Sequence, residues 1–424
     1  MARFFLAPFG SAGDVNPCVW LGKLLQARGH DVTLITTPLF QPFAERAGLE
    51  FVGVGDEEEY RAVLAHPHLW KPLLGTALVF RLALKVLRPF YEALAQRVQA
   101  NPDTVLVAPL TLFSARAIRE KFGTPLVTMH LQPAAMLSAY DETIYLPGMD
   151  WLAHLPPAVK KFLFRLPNPT DWQITRPLRG FCREIGIAGP RRVFPDWLYS
   201  PDANLLLFPE WFAPRQPDWP DHATAAGFPM EDLKAHFVMP AGLEEFLAEG
   251  DRPILLSPGT GNSQARKFFQ VGLAACERLG RRALLGTPYR QQLPDPLPPC
   301  ARAFDYVPFS HLLPRVAAMV HHGGIGTLSQ GFAAGTPQLL MPMGHDQPDN
   351  ARRARLLGVA EVLTPRDFMP DHVGHALRRL LEDPRVADRC QAVAARMKME
   401  SAAEAAVGVL EKMAARAATS LPGG

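Results

Sequence analysis

The sequence has few cysteines, almost no net charge and no long apolar run, and each lack excludes a class of protein. Its five cysteines are scattered, with no CxxC pair and no Cys/His spacing suited to zinc, so we expect reduced thiols in a cytoplasmic protein. The 44 basic and 41 acidic residues nearly cancel, which argues against nucleic acid as a partner. No apolar run is long enough to predict a membrane span, and the first residues do not resemble a signal peptide.

The length and the pattern of the chain predict two domains. A chain of 424 residues is long for a single hydrophobic core. Short apolar runs alternate with helical segments twice, which predicts an α/β protein with parallel sheets covered by helices on both faces. The predicted strands include 31–37, 104–109 and 303–307, and a helix is predicted from about Pro17 to Arg28, because proline suits a first helical turn. We therefore predict a Rossmann-like domain over 1–215, a linker over 216–230, a second Rossmann-like domain over 231–400, and a C-terminal helix and tail over 401–424. The two domains are expected to face each other across a cleft.

One apolar segment, Leu73 to Leu87, carries Arg81 and Lys85 on one side of a predicted amphipathic helix. Such a helix packs on its own domain or meets lipid or an apolar substrate. Basic residues would suit an anionic membrane surface, although they are also common on solvated faces; they are Lys160, Lys161, Arg165, Arg191 and Arg192.

The most informative stretch is HHGGIGTLSQGFAAGTPQLLMPMGHDQPDN, from His321 to Asn350. A short strand runs into a glycine-rich turn and a helix beginning near Gly326, which predicts an anion site because helix starts offer free N–H groups. His322 can add a hydrogen bond or a charge to a phosphate. Asp346 and Gln347 follow the next strand, where an acid beside an amide suits hydroxyl groups. Together these features predict a site for a sugar diphosphate.

This stretch resembles the donor-binding signature of the family 1 glycosyltransferases, which have the GT-B architecture. The likeness extends through GSAGDVNP at Gly10 to Pro17 and LLFPEWFAP at Leu206 to Pro214, where it is similar to the bacterial rhamnosyltransferases of rhamnolipid synthesis. The resemblance implies a glycosyltransferase that needs no cofactor beyond its dTDP- or UDP-sugar co-substrate. No DxD-like metal site is evident, so we expect metal-independent catalysis and no metal ligands.

The resemblance also implies roles for individual residues. Those matching the diphosphate-binding positions are His322, Gly324, Gly326, Thr327 and Thr260. Tyr306 and Val307 match the residues that stack on and hydrogen-bond the nucleobase, and Asp346 and Gln347 match the pair that binds sugar hydroxyls. Many UDP-dependent members carry a ribose-binding glutamate at the position of Gln330, so a neutral residue there slightly favours the deoxyribose of a dTDP-sugar.

Asp14, in the turn of the first domain, has two interpretations. By resemblance it replaces the histidine that takes the acceptor proton in plant-type members, and a carboxylate within reach of the nucleophile can act as a general base. Aspartate at this place also commonly caps the following helix. His130, at the end of a predicted strand, either faces the cleft or is a buried, hydrogen-bonded histidine.

The expected reaction is inverting transfer of L-rhamnose from dTDP-L-rhamnose to a hydroxyl of a hydrophobic acceptor such as a 3-hydroxyalkanoyloxyalkanoate. An upstream acyltransferase partner and contact with the inner face of the membrane are left open. One alternative is a UDP-glucose-dependent glucosyltransferase acting on a flavonoid, sterol or polyketide. Others are a sugar-nucleotide 2-epimerase and a non-catalytic activator partner, and the set Asp14, His322, Asp346 and Gln347 argues against the activator.

Overall fold

The protein folds into two compact α/β units. One comprises Met1–Glu231 with Ser401–Gly424, and the other comprises Asp232–Glu400. The structure, a computed structural model, describes residues 1–71, 74–145, 148–166, 168–194, 197–231, 237–240, 242–259, 261–399 and 401–420.

The first unit is built on a seven-stranded sheet in which every strand pair is parallel. Its strands are β1 (Arg3–Leu6), β2 (Asp31–Thr36), β3 (Glu50–Gly53), β4 (Thr104–Pro109), β5 (Leu126–His130), β6 (Ala203–Leu206) and β7 (Ala223–Ala225). They lie in the order β3-β2-β1-β4-β5-β6-β7. The central strands are almost wholly buried, as expected when helices cover both faces of a parallel sheet.

The helices of this unit in the described residues are α1 (Ala12–Ala27), α2 (Gln41–Ala47), α3 (Glu57–Leu64), α4 (Leu74–Lys85), α5 (Leu87–Ala100), α6 (Phe113–Phe122), α7 (Asp150–Ala153), α8 (Pro157–Arg165) and α9 (Pro169–Glu184). The predicted amphipathic segment becomes α4 and the start of α5; its first residue, Leu73, lies outside the described residues. The Phe80 ring contacts the rings of Phe113 and Phe194 at 6.5 and 5.6 Å between centroids. Helix α4 thus packs on its own unit.

Residues 216–230, the predicted linker, belong to the first unit. They contain β7, which pairs in parallel with β6. Phe228 is buried and its ring lies 6.0 Å from that of Trp211 and 5.3 Å from that of Phe212. A three-residue strand is too short to give a sequence pattern, so the proline-rich composition concealed it.

The second unit is built on a six-stranded parallel sheet. Its strands are β8 (Ile254–Ser257), β9 (Ala283–Gly286), β10 (Ala301–Phe304), β11 (Ala318–His321), β12 (Gln338–Leu340) and β13 (Ala360–Val362), in the order β10-β9-β8-β11-β12-β13. Its described helices are α10 (Leu243–Ala248), α11 (Arg266–Arg278), α12 (Phe309–Leu312), α13 (Ile325–Ala334), α14 (Gln347–Leu356), α15 (Pro370–Glu382) and α16 (Pro384–Met399). The prediction of two Rossmann-like α/β domains is confirmed.

The last helix, α17 (Ala402–Ser420), returns to the first unit and packs against α1, β4 and β6. Its buried face includes Val407 and Leu410. Glu404 pairs with Arg28, and Glu411 lies 3.2 Å from the imidazole of His30. The apolar stripe explains why the segment folds as a helix of the first unit. None of the described helices combines the length and the hydropathy that a bilayer-spanning segment needs.

Candidate active site

The order of strands defines one crevice in each sheet. In the first unit the order reverses between β1 and β4, and in the second between β8 and β11. Ligands of open α/β sheets bind at such a switch point, beyond the carboxyl ends of the strands. The loop after β1 leads into α1, whose first turn contains Asp14, and the turn after β11 contains His322. Both candidate residues therefore lie where each sheet has its ligand crevice.

The imidazole of His322 is packed between two glycines. A Cβ on Gly324 would lie 2.4 Å from Nε2 of His322, and a Cβ on Gly259 would lie 2.7 Å from its Cε1. Gly259 also has a φ of +96°, which L side chains rarely adopt. The turns after β8 and β11 thus need glycine at both positions, because any side chain would displace the ring. Thr260, the next residue, lies outside the described residues.

His321, at the end of β11, fixes the base of the turn. Its Nε2 lies 2.8 Å from the Gln338 side-chain oxygen, and its Nδ1 accepts the Gly323 N–H at 3.2 Å. These contacts require the neutral tautomer protonated at Nε2. Burial lowers the pKa of His321 to about 3, with a smaller contribution from neighbouring His322. His321 is therefore a structural residue of the turn.

His322 is 8% exposed, and burial lowers its pKa to about 4. The sequence allowed either a hydrogen bond or a charge from this side chain. At neutral pH the free protein holds the imidazole neutral, since the charged form would be poorly solvated. Its contact with a phosphate would therefore begin as a neutral hydrogen bond, and a bound anion would raise the pKa.

Helix α13 starts immediately after this turn. Its N-cap is Gly324, and no side chain caps the first turn. The first N–H groups of a helix have no intrahelical partner and carry the positive end of its dipole. Gly326 is exposed, and a Cβ placed there would meet no atom within 4 Å. Thr327 is half-buried on the same turn. The helix start is open to an anion.

Gly326 permits a test that separates folding from binding. In Gly326→Ala we expect the free energy of unfolding to stay level or rise by up to about 1 kcal/mol, because alanine favours helix. We expect the affinity for dTDP to fall about tenfold, because the methyl group occupies the space at the helix start. Calorimetric titration checks this, with Gly374→Ala in α15, which also meets no neighbour, as the control. Equal dTDP affinity in both variants would place the phosphates elsewhere.

Asp346 and Gln347 stand at the start of α14 in different environments. Asp346 is half-buried, and burial raises its pKa to about 6, while a hydrogen bond from Asn350 opposes the shift. Gln347 is buried, and its side-chain oxygen accepts the N–H groups of Met343 at 2.8 Å and Gly344 at 3.2 Å. Gln347 thus uses its oxygen to shape the loop after β12, and Asp346 is the better-placed acceptor for a hydroxyl.

Asn350 is a residue of this site that had no assigned role from the sequence. Its amide nitrogen donates to Asp346 at 2.5 Å and to the Gly323 carbonyl at 3.1 Å. It therefore ties the Asp346 carboxylate to the glycine turn. Its place one helical turn after Asp346, in HDQPDN, was the available signal.

The residues expected at the nucleobase and ribose are placed as follows. Tyr306 follows β10 with 44% of its surface exposed, and its ring lies 6.3 Å from that of Phe237. Val307 is buried in the hydrophobic core, so only its backbone could serve a base. Gln330 is buried on α13, one turn beyond Gly326 and Thr327. An exposed aromatic beside a parallel strand end can stack on a planar ring.

In the first unit, the Asp14 carboxylate folds back onto the start of its own helix. It accepts the Ser11 N–H at 2.6 Å and the Ser11 hydroxyl at 3.1 Å, and Ser11 in turn caps Gly13. This is a capping box, so the capping interpretation describes a contact that exists. The carboxylate is half-buried and lies at the switch point of the sheet. Capping and catalysis are compatible, because one carboxylate has several acceptor positions.

Tyr60, on α3, holds the turn that precedes α1 and Asp14. Its hydroxyl accepts the Gly10 N–H at 2.8 Å and donates to the Gly10 carbonyl. Gly10 has a φ of +139°, and a Cβ there would lie 2.2 Å from the Asp14 carboxylate. Burial and the nearby Asp14 charge raise the pKa of Tyr60. Tyr60 is thus a positioning residue, and its distance of 46 positions from Asp14 hid it in the sequence.

His130 is buried, with its Nε2 at 3.0 Å from the Asn204 side-chain oxygen. Burial lowers its pKa to about 4. Of the two interpretations of this residue, the structure supports the buried, hydrogen-bonded histidine. Within the described residues, no group of three or more His, Cys, Asp or Glu side chains could hold a metal ion.

Comparison with known proteins agrees with this architecture. Residues 4–140 match the glycosyltransferase family 28 N-terminal domain, and residues 287–413 match the erythromycin biosynthesis protein CIII-like C-terminal domain. The chain is 30% identical to O-mycaminosyltylonolide 6-deoxyallosyltransferase of Streptomyces fradiae over 97% of both chains. Its fold is similar to that of the calicheamicin glycosyltransferase CalG4 (TM-score 0.74, 22% identity, 100% of both chains). It is also similar to that of the spinosyn rhamnosyltransferase SpnG complexed with thymidine diphosphate (TM-score 0.70, 21% identity, 97% of this chain and 100% of that one).

The two Rossmann-like units have the GT-B fold of the solved glycosyltransferases. The chain belongs to the glycosyltransferase family represented by these relatives, and it is an enzyme that uses a sugar-nucleotide donor.

Proposed function

We propose that the protein transfers a 6-deoxyhexose, L-rhamnose, from dTDP-L-rhamnose to a hydroxyl of a hydrophobic acceptor, with inversion at the anomeric carbon. The main support for a dTDP-sugar as donor is the neutral Gln330 on α13, where many UDP-dependent members of the family have a glutamate. Two relatives support it by name, one for a 6-deoxyallosyl transfer and one for a rhamnosyl transfer with thymidine diphosphate bound.

The donor is held by the second unit in this proposal. The helix start at Gly324, Gly326 and Thr327 receives the diphosphate, with His322 at its edge. Tyr306 stacks on the base, and Asp346 accepts hydrogen bonds from sugar hydroxyls with Gln347 beside it. Thr260 completes the diphosphate site by family resemblance. Donors fixed before the reaction stabilise the negative charge that develops on the departing dTDP.

Asp14 of the first unit serves as the general base. Its carboxylate takes the proton of the acceptor hydroxyl as the oxygen forms a bond to the anomeric carbon. The bond from that carbon to the phosphate oxygen breaks at the same time, and dTDP leaves with the electron pair. A single displacement of this kind inverts the configuration. Ser11 and Tyr60 hold the base and its turn in place.

The donor preference is tested by Gln330→Glu. We expect the ratio of UDP to dTDP affinity to rise by about tenfold, because only ribose offers the second hydroxyl and a charged hydrogen bond contributes about 1.5–3 kcal/mol. Calorimetric titration with each nucleotide gives the ratio. The cost of burying a carboxylate lowers both affinities alike, so it does not affect the ratio.

Gln330→Met, of similar size and without charge, is the control for this experiment and should leave the ratio unchanged. A wild type that turns over UDP-glucose faster than dTDP-L-rhamnose would reject the rhamnosyl proposal. The glucosyltransferase acting on a flavonoid, sterol or polyketide would then replace it.

For the acceptor we propose an ester of hydroxylated fatty acids, such as a 3-hydroxyalkanoyloxyalkanoate, which an acyltransferase must supply. A polyketide aglycone is the second candidate, since the Streptomyces fradiae relative is named for a tylonolide derivative. Incubation of wild-type enzyme and dTDP-L-rhamnose with each acceptor, followed by mass spectrometry, distinguishes them.

The five cysteines are all free, which supports action in the reducing cytoplasm.

A further inference from the structure

Three successive helices of the first unit expose large apolar side chains. Trp151 on α7 is 57% exposed, Phe162 on α8 is 62% exposed, and Trp172 on α9 is 62% exposed. Leu166, just after α8, is also exposed. Single exposed apolar residues are ordinary, whereas a cluster of large ones indicates a contact surface.

The helices that carry these side chains are fixed to one another. The buried Lys160 of α8 donates to the Ala153 carbonyl at the end of α7, at 3.0 Å. Arg192 donates to the Arg165 and Leu166 carbonyls at the end of α8 and pairs with Asp171 of α9 at 3.0 Å. The exposed residues therefore lie on adjoining helices that are held together by hydrogen bonds and an ion pair.

The exposed charges of this surface are mostly basic. Exposed acidic residues stand only at its two ends: Asp150 begins α7, and Glu184 ends α9 and pairs with Arg88. Between them the one acidic residue is Asp171, which is buried against Arg192. The exposed charged side chains of the same span are Lys161, Arg165, Arg176, Arg179 and Arg183. The Arg176 guanidinium lies over the Trp172 ring at 5.5 Å, so cation and aromatic are interleaved. An occupant must present both apolar and anionic groups.

We propose that this surface, defined by Trp151, Lys161, Phe162, Arg165, Leu166 and Trp172, docks on an anionic lipid surface. Tryptophan and the basic residues with long apolar stems are the side chains that suit the headgroup region of a bilayer. Docking of this kind uses apolar insertion together with attraction to anionic headgroups. It does not depend on the donor or the acceptor proposed above.

The test is flotation of the full chain with vesicles of phosphatidylcholine alone and of phosphatidylcholine with phosphatidylglycerol. We expect binding to the anionic vesicles that weakens as salt is added. Lys161→Glu/Arg165→Glu should lower the partition coefficient at least about tenfold, because each basic residue near an anionic surface contributes about 1 kcal/mol. Trp151→Ser/Phe162→Ser should lower it similarly on the same vesicles by removing the inserted groups.

Matched controls come from exposed residues of the second unit. Arg396→Glu/Lys398→Glu, at two exposed basic residues of α16, makes the same change of net charge, and Leu356→Ser removes an apolar side chain that is 68% exposed. Both should bind vesicles as wild type does, and all variants should unfold at the wild-type temperature. The proposal is overturned if the wild-type protein does not bind anionic vesicles, or if the control variants lose binding as much as the surface variants do.

Two further outcomes would assign the surface to another occupant and also overturn it. One is Trp151→Ser/Phe162→Ser that floats normally but loses turnover of a water-soluble acceptor, which would make the surface part of the acceptor site. The other is a change of oligomeric state in sedimentation with unaltered flotation, which would make it an interface between copies of the chain. Failure of the rhamnosyl proposal leaves all flotation results unchanged, so the two are tested separately.

Discussion

Asp14→Asn is expected to lower transfer by at least about 100-fold, the loss associated with removal of a general base. The amide retains an oxygen that can accept the Ser11 N–H, so the capping contact at 2.6 Å can persist. Stability should therefore change by less than about 1 kcal/mol, the usual value of a helix cap. Affinity for dTDP should not change, because the residues that we propose to bind the donor lie in the second unit. Release of dTDP from dTDP-L-rhamnose, with the acceptor that wild type uses, measures the effect.

A matched capping residue provides the control. Asp56 caps α3, and its carboxylate accepts the Glu59 N–H at 2.8 Å. Asp56→Asn makes the same chemical change at a cap outside the switch point, and we expect full transfer activity. Near-normal turnover in Asp14→Asn would reduce Asp14 to its capping role. Equal losses in both variants would point to the helix starts rather than to proton transfer.

Much of the fold could be predicted because parallel strands are written in the sequence as short apolar runs. Predicted strands at 31–37 and 104–109 correspond to β2 (Asp31–Thr36) and β4 (Thr104–Pro109). The predicted bounds of two elements differ from the observed ones for physical reasons. Helix α1 was predicted from Pro17, because proline suits a first turn, but Ser11 caps it and Pro17 lies inside. Proline there leaves the Gly13 carbonyl without its helical donor, a cost that the sequence does not reveal.

A predicted strand over 303–307 shows a different error. The strand β10 is Ala301–Phe304 and ends before Tyr306. Val307 is apolar because it fills the core beside Phe304, not because it extends the strand. The earlier end leaves Tyr306 exposed in the loop at the carboxyl edge of the sheet, where a side chain can reach a ligand.

The candidate site was visible as motifs, whereas its supports were not. A glycine-rich turn in a sequence indicates that the backbone approaches another group closely. The structure shows that this group is the His322 ring, which leaves no space for a side chain at Gly324. Likewise, Tyr60 and Asn350 act through hydrogen bonds between elements that the sequence cannot align. The electrostatic state of a buried histidine also depends on what surrounds it, so its charge could not be read from HHGGIGT.

His322→Ala is expected to lower kcat/KM by about 100-fold, since it removes a fixed hydrogen-bonding group from the departing diphosphate. Affinity for dTDP should fall by less, about two- to tenfold, because the neutral imidazole of the free protein offers an ordinary hydrogen bond of about 0.5–1.5 kcal/mol. The larger kinetic loss is the distinguishing sign, because charge grows on the diphosphate as the sugar departs. Kinetics and calorimetry on the same preparation measure both values.

The pKa of His322 gives a second measurement that does not rely on a variant. Burial lowers the pKa of His322 to about 4 in the free protein. As pH falls, the unfolded chain therefore binds a proton at this histidine before the folded protein does. The contribution of His322 to stability falls as pH drops from about 6.5 toward 4. A bound diphosphate favours the imidazolium, so dTDP should raise the pKa, and dTDP should bind more tightly as pH falls through this range. Imidazole NMR titration with and without dTDP follows the shift directly. If dTDP leaves the pKa of His322 unchanged and His322→Ala binds dTDP as wild type does, the diphosphate does not bind at this turn.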